Sequence, residues 1–219
     1  MTSAKAIAHL VYKDIKLELR EKYALSGILL YVVSTTFVIY SAFQQVDAST
    51  WVSLFWIITL FAALNAASRS FITENPNTRL YYFLLVGPHE MILSKMLFNG
   101  LLLLVLAAIS NLVFGILLGF EIEGFNLWIL LSALGSLGFG LSFTMISAIA
   151  SKAKNAGVLM TILGLPIIIP QLMVLIRLSN LAANGGTIAE HWGDLVSLAS
   201  IDIIALAVAL VVFPFLWKD

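Results

Sequence analysis

The chain has no cysteine. That excludes disulfides, thiolate metal sites and cysteine nucleophiles, but leaves the redox compartment open for a chain lying mostly in lipid. It also has no GxxxxGK[ST] phosphate loop, which rules out the common nucleotide cradle and with it ATP hydrolysis of that kind. Charge is scarce: Asp, Glu, Lys and Arg make up 11% of the residues, the formal net charge is zero, and 61% of the residues are hydrophobic. Together with apolar runs too long for a soluble core, this excludes an ordinary globular domain. No internal repeat is evident, which argues against a secondary transporter built on inverted repeats. A cleavable signal peptide is not expected, because the first apolar run follows 22 residues carrying eight charges and is itself a full span.

What is present is a set of six apolar stretches, at residues 24–43, 51–68, 97–119, 127–150, 156–176 and 196–217. Each reaches or approaches the ~20 residues needed to cross ~30 Å of hydrocarbon as a helix. The expected fold is therefore an all-α membrane protein with six transmembrane helices. If the amino terminus lies in the cytoplasm, Lys5, Lys13, Lys16, Arg20, Lys22, Arg69, Arg79, Lys95, Lys152, Lys154 and Lys218 all fall on the cytoplasmic side, leaving only Arg177 outside. Short cytoplasmic loops retain Lys and Arg because cations resist translocation. Both termini are thus expected to be cytoplasmic.

Residues 1–23 read as an amphipathic elbow before the permease-like remainder, residues 24–217. Lys5, His9, Lys13, Lys16 and Arg20 are spaced so that a helix gathers them into one basic stripe beside Ile7, Val11 and Ile15. Such a helix lies along a membrane surface, each cation contributing about 1 kcal/mol near anionic headgroups. Asp14, Glu18 and Glu21 form a second row that headgroups would repel, so it is expected to face protein or water. Two readings stay open for this row: local pairing with Lys16, Lys22 and solvent, or a docking edge for a cytoplasmic partner.

The insertion from Arg69 to Lys95, RSFITENPNTRLYYFLLVGPHEMILSK, is the long polar segment on the inner side. Glu74, Asn75, Pro76 and Asn77 mark a turn. Leu80, Phe83 and Leu84, then Ile92 and Leu93 beyond a Gly87–Pro88 break, supply apolar faces for short helices. Through Glu74, Asn77 and Thr78, the Leu80 to Leu85 run, Pro88 and the Ile92 to Lys95 run, this loop resembles the coupling segment of ABC-2-like exporter permeases. That family usually has Gly where this chain has Asn77. The resemblance implies that residues 69–96 couple the membrane helices to an ATPase, with Glu74, Arg79, Leu80, Phe83, Pro88 and Lys95 as the candidate contacts.

In the fifth stretch, KAKNAGVLMTILGLPIIIPQL, Pro166 and Pro170 interrupt an apolar helix. They leave the carbonyls of Ile162 and Pro166 without their helical donors, so a kink or an unwound segment is expected there, either static or a hinge beside a moving pathway. The pattern Gly157-Val158-Leu159, Ile162-Leu163, Leu165-Pro166, Ile169-Pro170 and Leu172, with the Leu17 to Arg20 run before the first span, is similar to the CcmB family. These are the B subunits of the haem exporter of cytochrome c maturation. This resemblance spans the whole chain. It implies a non-enzymatic permease subunit of an ABC transporter for haem export or haem-chaperone release in a bacterial inner membrane. It further implies two permease copies, a cytoplasmic CcmA-type ATPase carrying ATP and magnesium, a haem-handling CcmC-type membrane subunit and a periplasmic haem chaperone. Haem is then cargo, and no cofactor or metal is expected to be resident in this chain.

The polar groups that remain are few. His9 and His89 belong with the cytoplasmic basic and coupling segments. His191, followed by Trp192, sits in an outer loop, where the pair is either an interfacial anchor with a solvated imidazole or a haem-side contact. Asp202 lies within the last span or, if that span starts near Ala199, at its outer interface. Asn65, Asn99 and Asn111 are expected to make interhelical hydrogen bonds, while Gly115 with Gly119 and the cluster Gly135, Gly138 and Gly140 are expected at close helix contacts or a dimer seam. Two rival readings follow: an ABC-2-like permease for a lipid, polysaccharide or drug, and a haem-binding electron-transfer protein using His191.

Overall fold

A computed structural model describes residues 3–20, 22–43, 46–72, 86–119 and 122–218, and the regular structure among them is helical throughout. Among the described residues seven helices follow one another: α1 (Ser3–Arg20), α2 (Lys22–Ala42), α3 (Ala48–Ile72), α4 (Pro88–Leu118), α5 (Phe125–Ala150), α6 (Ala156–Ala183) and α7 (Trp192–Lys218). Five of them, α3 to α7, are long and apolar enough to cross a membrane. The expected first span is α2, a helix of 21 residues in which Ser26–Ala42 is an apolar stretch.

The helices run up and down. At one end, the Trp51 indole N–H at the start of α3 donates to the Gly119 carbonyl just past α4 (3.0 Å), and the Gly124 N–H before α5 donates to the Ala182 carbonyl near the end of α6 (2.8 Å). At the other end, Phe71 of α3 packs on Phe213 of α7, and Lys95 of α4 meets Asp14 of α1. The two ends therefore differ in kind: one is loops and indoles, the other holds the elbow helix and the basic residues.

Helix α5 is the hub. About two thirds of its apolar window is buried, against roughly a quarter to a third for α4, α6 and α7. Lipid tails are as apolar as Leu, so helices in a membrane associate through close packing, which small residues permit. Three glycines of α5 do this toward different neighbours. A Cβ on Gly135 would lie 2.4 Å from the Trp56 ring of α3, one on Gly140 would lie 2.9 Å from the Gly100 Cα of α4, and one on Gly138 would strike side chains of α6 and α7. The glycine pair in α4 behaves otherwise: Gly119, at φ +80°, ends the helix instead of packing within it.

The largest buried side chains form one aromatic cluster near the loop end. Trp51 stacks on Phe55 and meets Phe114 and Trp128 edge to face, and Trp56 meets Phe55 and Phe139. Such ring pairs contribute about 0.5–1.5 kcal/mol each beyond their buried area. All three buried indoles find acceptors: Trp51 at Gly119, Trp56 at the Ser179 hydroxyl (2.8 Å) and Trp128 at Asn111 Oδ1 (2.7 Å). Just before α3, Asp47 accepts from the Thr50 hydroxyl and backbone N–H, and the hydroxyl bond holds its carboxyl below the usual range.

Three boundaries and one interior differ from expectation. Helix α4 starts at Pro88 and not near residue 97, because Pro is tolerated at the first helical position and the Gly87 N–H donates to the Glu90 carboxylate (2.7 Å). The Gly87–Pro88 break is thus the start of one long helix, not a gap between short ones. Helix α6 runs to Ala183, so Arg177 lies exposed on its last turns and not in a loop. The helix also continues through Pro166 and Pro170, so the unwinding expected there is absent. Helix α7 opens at Trp192, four residues before the anticipated start, with Pro214 inside its far end.

Candidate functional site

Two polar junctions stand out against the apolar bundle. The first joins the elbow to the body. In α1, Leu10 and Asp14 are one turn apart and are the buried members of the helix, while Lys5, His9, Lys16 and Arg20 are exposed. Asp14 Oδ1 lies 3.0 Å from Lys13 Nζ and Asp14 Oδ2 lies 3.3 Å from Lys95 Nζ. Lys95 is 6% exposed and Asp14 likewise, and the Lys95 ammonium stands 6.0 Å from the centre of the Phe71 ring. Burying one charge without the other would be strongly unfavourable, and the pair makes the position of α1 on α4 specific.

This placement revises two expectations. Lys95 was expected in the cytoplasmic loop among the ATPase contacts, yet it lies inside α4 and turns toward α1 and α3. Asp14 was expected to face solvent pairing or a partner, yet it is covered by its own chain. Glu18 is partly buried and Glu21 lies outside the described residues. Of the other coupling candidates, Pro88 is the first residue of α4, while Glu74, Arg79, Leu80 and Phe83 lie outside the described residues, as do Asn75, Pro76, Asn77 and Thr78.

The second junction lies halfway along α5, α6 and α7. Gln171 Nε2 donates to Asp202 Oδ1 at 2.9 Å. Gln171 is fully buried and Asp202 is 8% exposed. A Cβ on Gly138 would lie 1.9 Å from that amide nitrogen and 2.1 Å from that carboxylate oxygen, so the two side chains occupy the place of a missing one. Asp202 is therefore internal, and the interfacial reading of it is corrected: α7 begins early enough to carry it ten residues in from Trp192. Sequence reading passed over Gln171. Its signal was an amide in the apolar run directly after Pro170, and it is buried where Pro166 and Pro170 are exposed.

Other polar side chains serve packing. Asn99 Nδ2 donates to Ser70 (3.1 Å) and Thr144 (2.7 Å), joining α3, α4 and α5. Asn111 accepts from Trp128 and donates to Ser132 (2.9 Å). Both act as expected, whereas Asn65 is exposed. At the loop end His191 Nδ1 lies 4.0 Å from Asp194, and Trp192 is 64% exposed. A cleft of about 410 Å³ opens nearby between Glu123–Leu127 and Gly185–Ile188, but neither His191 nor Trp192 lines it. No cluster of three or more His, Cys, Asp or Glu able to hold a metal occurs among the described residues. His9 Nδ1 donates to the Lys5 carbonyl one turn earlier (2.7 Å), and His89 is exposed at the start of α4.

The arrangement is thus a helical membrane body with a clamped elbow at one end and a buried carboxyl halfway along its helices. Residues 5–216 match the family model described as CcmB protein. No curated protein matches the chain.

Proposed function

Because the chain belongs to the CcmB family, we propose that it is the permease subunit of a haem-export ABC transporter in cytochrome c maturation, with six spans and both termini in the cytoplasm of a bacterial inner membrane. Helix α2 is the sixth span: its 21 residues reach about 31 Å at 1.5 Å per residue, close to the hydrocarbon thickness. Orientation follows from the basic residues, which gather at the end carrying α1.

In this reading a separate CcmA-type ATPase supplies the energy and two permease copies pair above it, alongside a CcmC-type subunit and a periplasmic haem chaperone. The ATPase engages residues 73–85, between α3 and α4, with Leu80 and Phe83 as apolar contacts. Motion there enters α4 at Pro88. The observation that carries the coupling reading is the buried Asp14–Lys95 pair: α1 is fastened two turns beyond Pro88, so displacement of the α4 base drags the elbow with it. ATP binding shifts the permease only if the motor holds two of its conformations with different affinity.

Deletion of the gene, followed by haem staining of c-type cytochromes, tests the function. Staining lost and restored by the intact chain supports it; unchanged staining leaves an ABC-2-like permease with another cargo. Replacing Leu80 and Phe83 together by Asp should leave the protein inserted, keep ATP turnover in the complex, and reduce stained cytochrome at least tenfold. Normal staining in that variant would refute the coupling role of the loop.

A further inference from the structure

The Asp202 junction is not needed for coupling at the membrane surface, and it has its own chemistry. The residue lies ten positions into a 27-residue helix, opposite Gln171 and Gly138, themselves near the middle of α6 and α5. Among the described residues no cation answers it. Helix α5 has no titratable residue. Helix α6 has only Arg177, which is exposed and six residues beyond Gln171, about 9 Å along the axis. Helix α4 carries His89, Glu90 and Lys95 in its first eight residues, with Lys95 already paired to Asp14. The remaining titratable residues of α7 are Asp194 in its first turn and Lys218 at its far end.

Donors are also short. An ionised Asp202 would bring two acceptor oxygens and no donor, and Gln171 brings one acceptor oxygen and one NH₂. The amide nitrogen already serves Asp202, and Gln171 Oε1 is buried with no hydrogen-bond partner among the described residues. Rotating the amide by half a turn exchanges the roles of its two ends but not the count. A proton on the carboxyl removes the charge and adds the donor that the pair lacks. A metal cation would need several further oxygen ligands, and no cluster of three or more His, Cys, Asp or Glu occurs among the described residues. Nor is there room on the Gly138 side, where even a methyl group would overlap the pair.

We infer that Asp202 is a proton-binding site, occupied in this conformation and enclosed between α5, α6 and α7, so that its proton exchanges slowly with water. This does not depend on haem being the cargo. Infrared spectroscopy of the full chain in lipid vesicles at neutral pH tests it. Expected is the carbonyl band of a protonated carboxylic acid, shifting only slowly in heavy water, absent from Asp202→Asn and retained in Asp194→Asn. A wild-type spectrum with carboxylate bands alone, immediate deuteration, or a band that survives Asp202→Asn would overturn it. Should Asp202→Asn fail to insert, Gln171→Leu decides: losing the amide bond moves the band to higher frequency if Asp202 is its source, and an unmoved band refutes the assignment.

Discussion

At the scale of the residue, the same amino acid does opposite things along this chain. Gly138 is filled from both sides by Gln171 and Asp202, whereas a Cβ on Gly157 would meet nothing within 4 Å. Gly157→Ala should therefore raise the thermal midpoint slightly, by the ~0.5–1 kcal/mol that Ala gains over Gly in a helix. Gly138→Ala must push apart a hydrogen-bonded pair and should cost about 1–3 kcal/mol net, read as a lower midpoint. The Asp14–Lys95 pair makes a second residue-level prediction. Either Asp14→Asn or Lys95→Met breaks the buried ion pair, with Lys13 still beside Asp14 in the second, and should cost up to about 3 kcal/mol, while exchanging the two residues should recover part of the loss. Additive losses in the exchanged protein would show that the ions do not interact. Sequence reading placed Asp14 in the acidic row of the elbow and Lys95 among the coupling contacts, and did not join them as partners. They are separated by most of three helices, and only the fold brings them together.

At the scale of the element, the helix type was legible, because continuous apolar runs leave little else for a backbone that must satisfy its own hydrogen bonds in lipid. Boundaries were less so. Hydropathy marks where lipid ends, and α4 and α6 continue as helices past that point: α4 through Ser94 and Lys95, buried against other helices, and α6 through Arg177, which is exposed. The proline pair shows the same limit, since Pro166 and Pro170 read as a break but sit within continuous helix. Both are exposed on α6 while Gln171 beside them is buried. If the pair serves as a hinge, Pro166→Ala with Pro170→Ala should restore two backbone donors, hold or raise the thermal midpoint, and lower stained cytochrome several-fold. Full maturation in a variant of unchanged or higher stability would make the prolines a static feature of the helix.

At the scale of the whole molecule, function rests on which end faces the cytoplasm, and the fold makes that a sharp question. Trp51, Gly119, Gly124 and Ala182 tie three connections together at one end, so these connections share a side of the membrane and cannot be assigned one by one. The opposite end carries α1, the base of α4 and the turn at residues 151–155. Basic residues crowd that second end: Lys5, Lys13, Lys16, Arg20, Lys95, Lys152 and Lys154 belong to it, against Arg177 toward the first. Retention of cations in short loops then puts α1 inside. The chain has no cysteine, so single introduced thiols report their side without background. Thr187→Cys in intact cells should react with a membrane-impermeant maleimide, and Ala153→Cys should react only after the membrane is opened. The reverse pattern would place the elbow and the coupling segment outside, beyond reach of a cytoplasmic ATPase, and the coupling reading would fail with the fold left intact. Labelling of both from outside would instead break the shared end that the Trp51 and Gly124 hydrogen bonds define, and with it the up-and-down order of the helices.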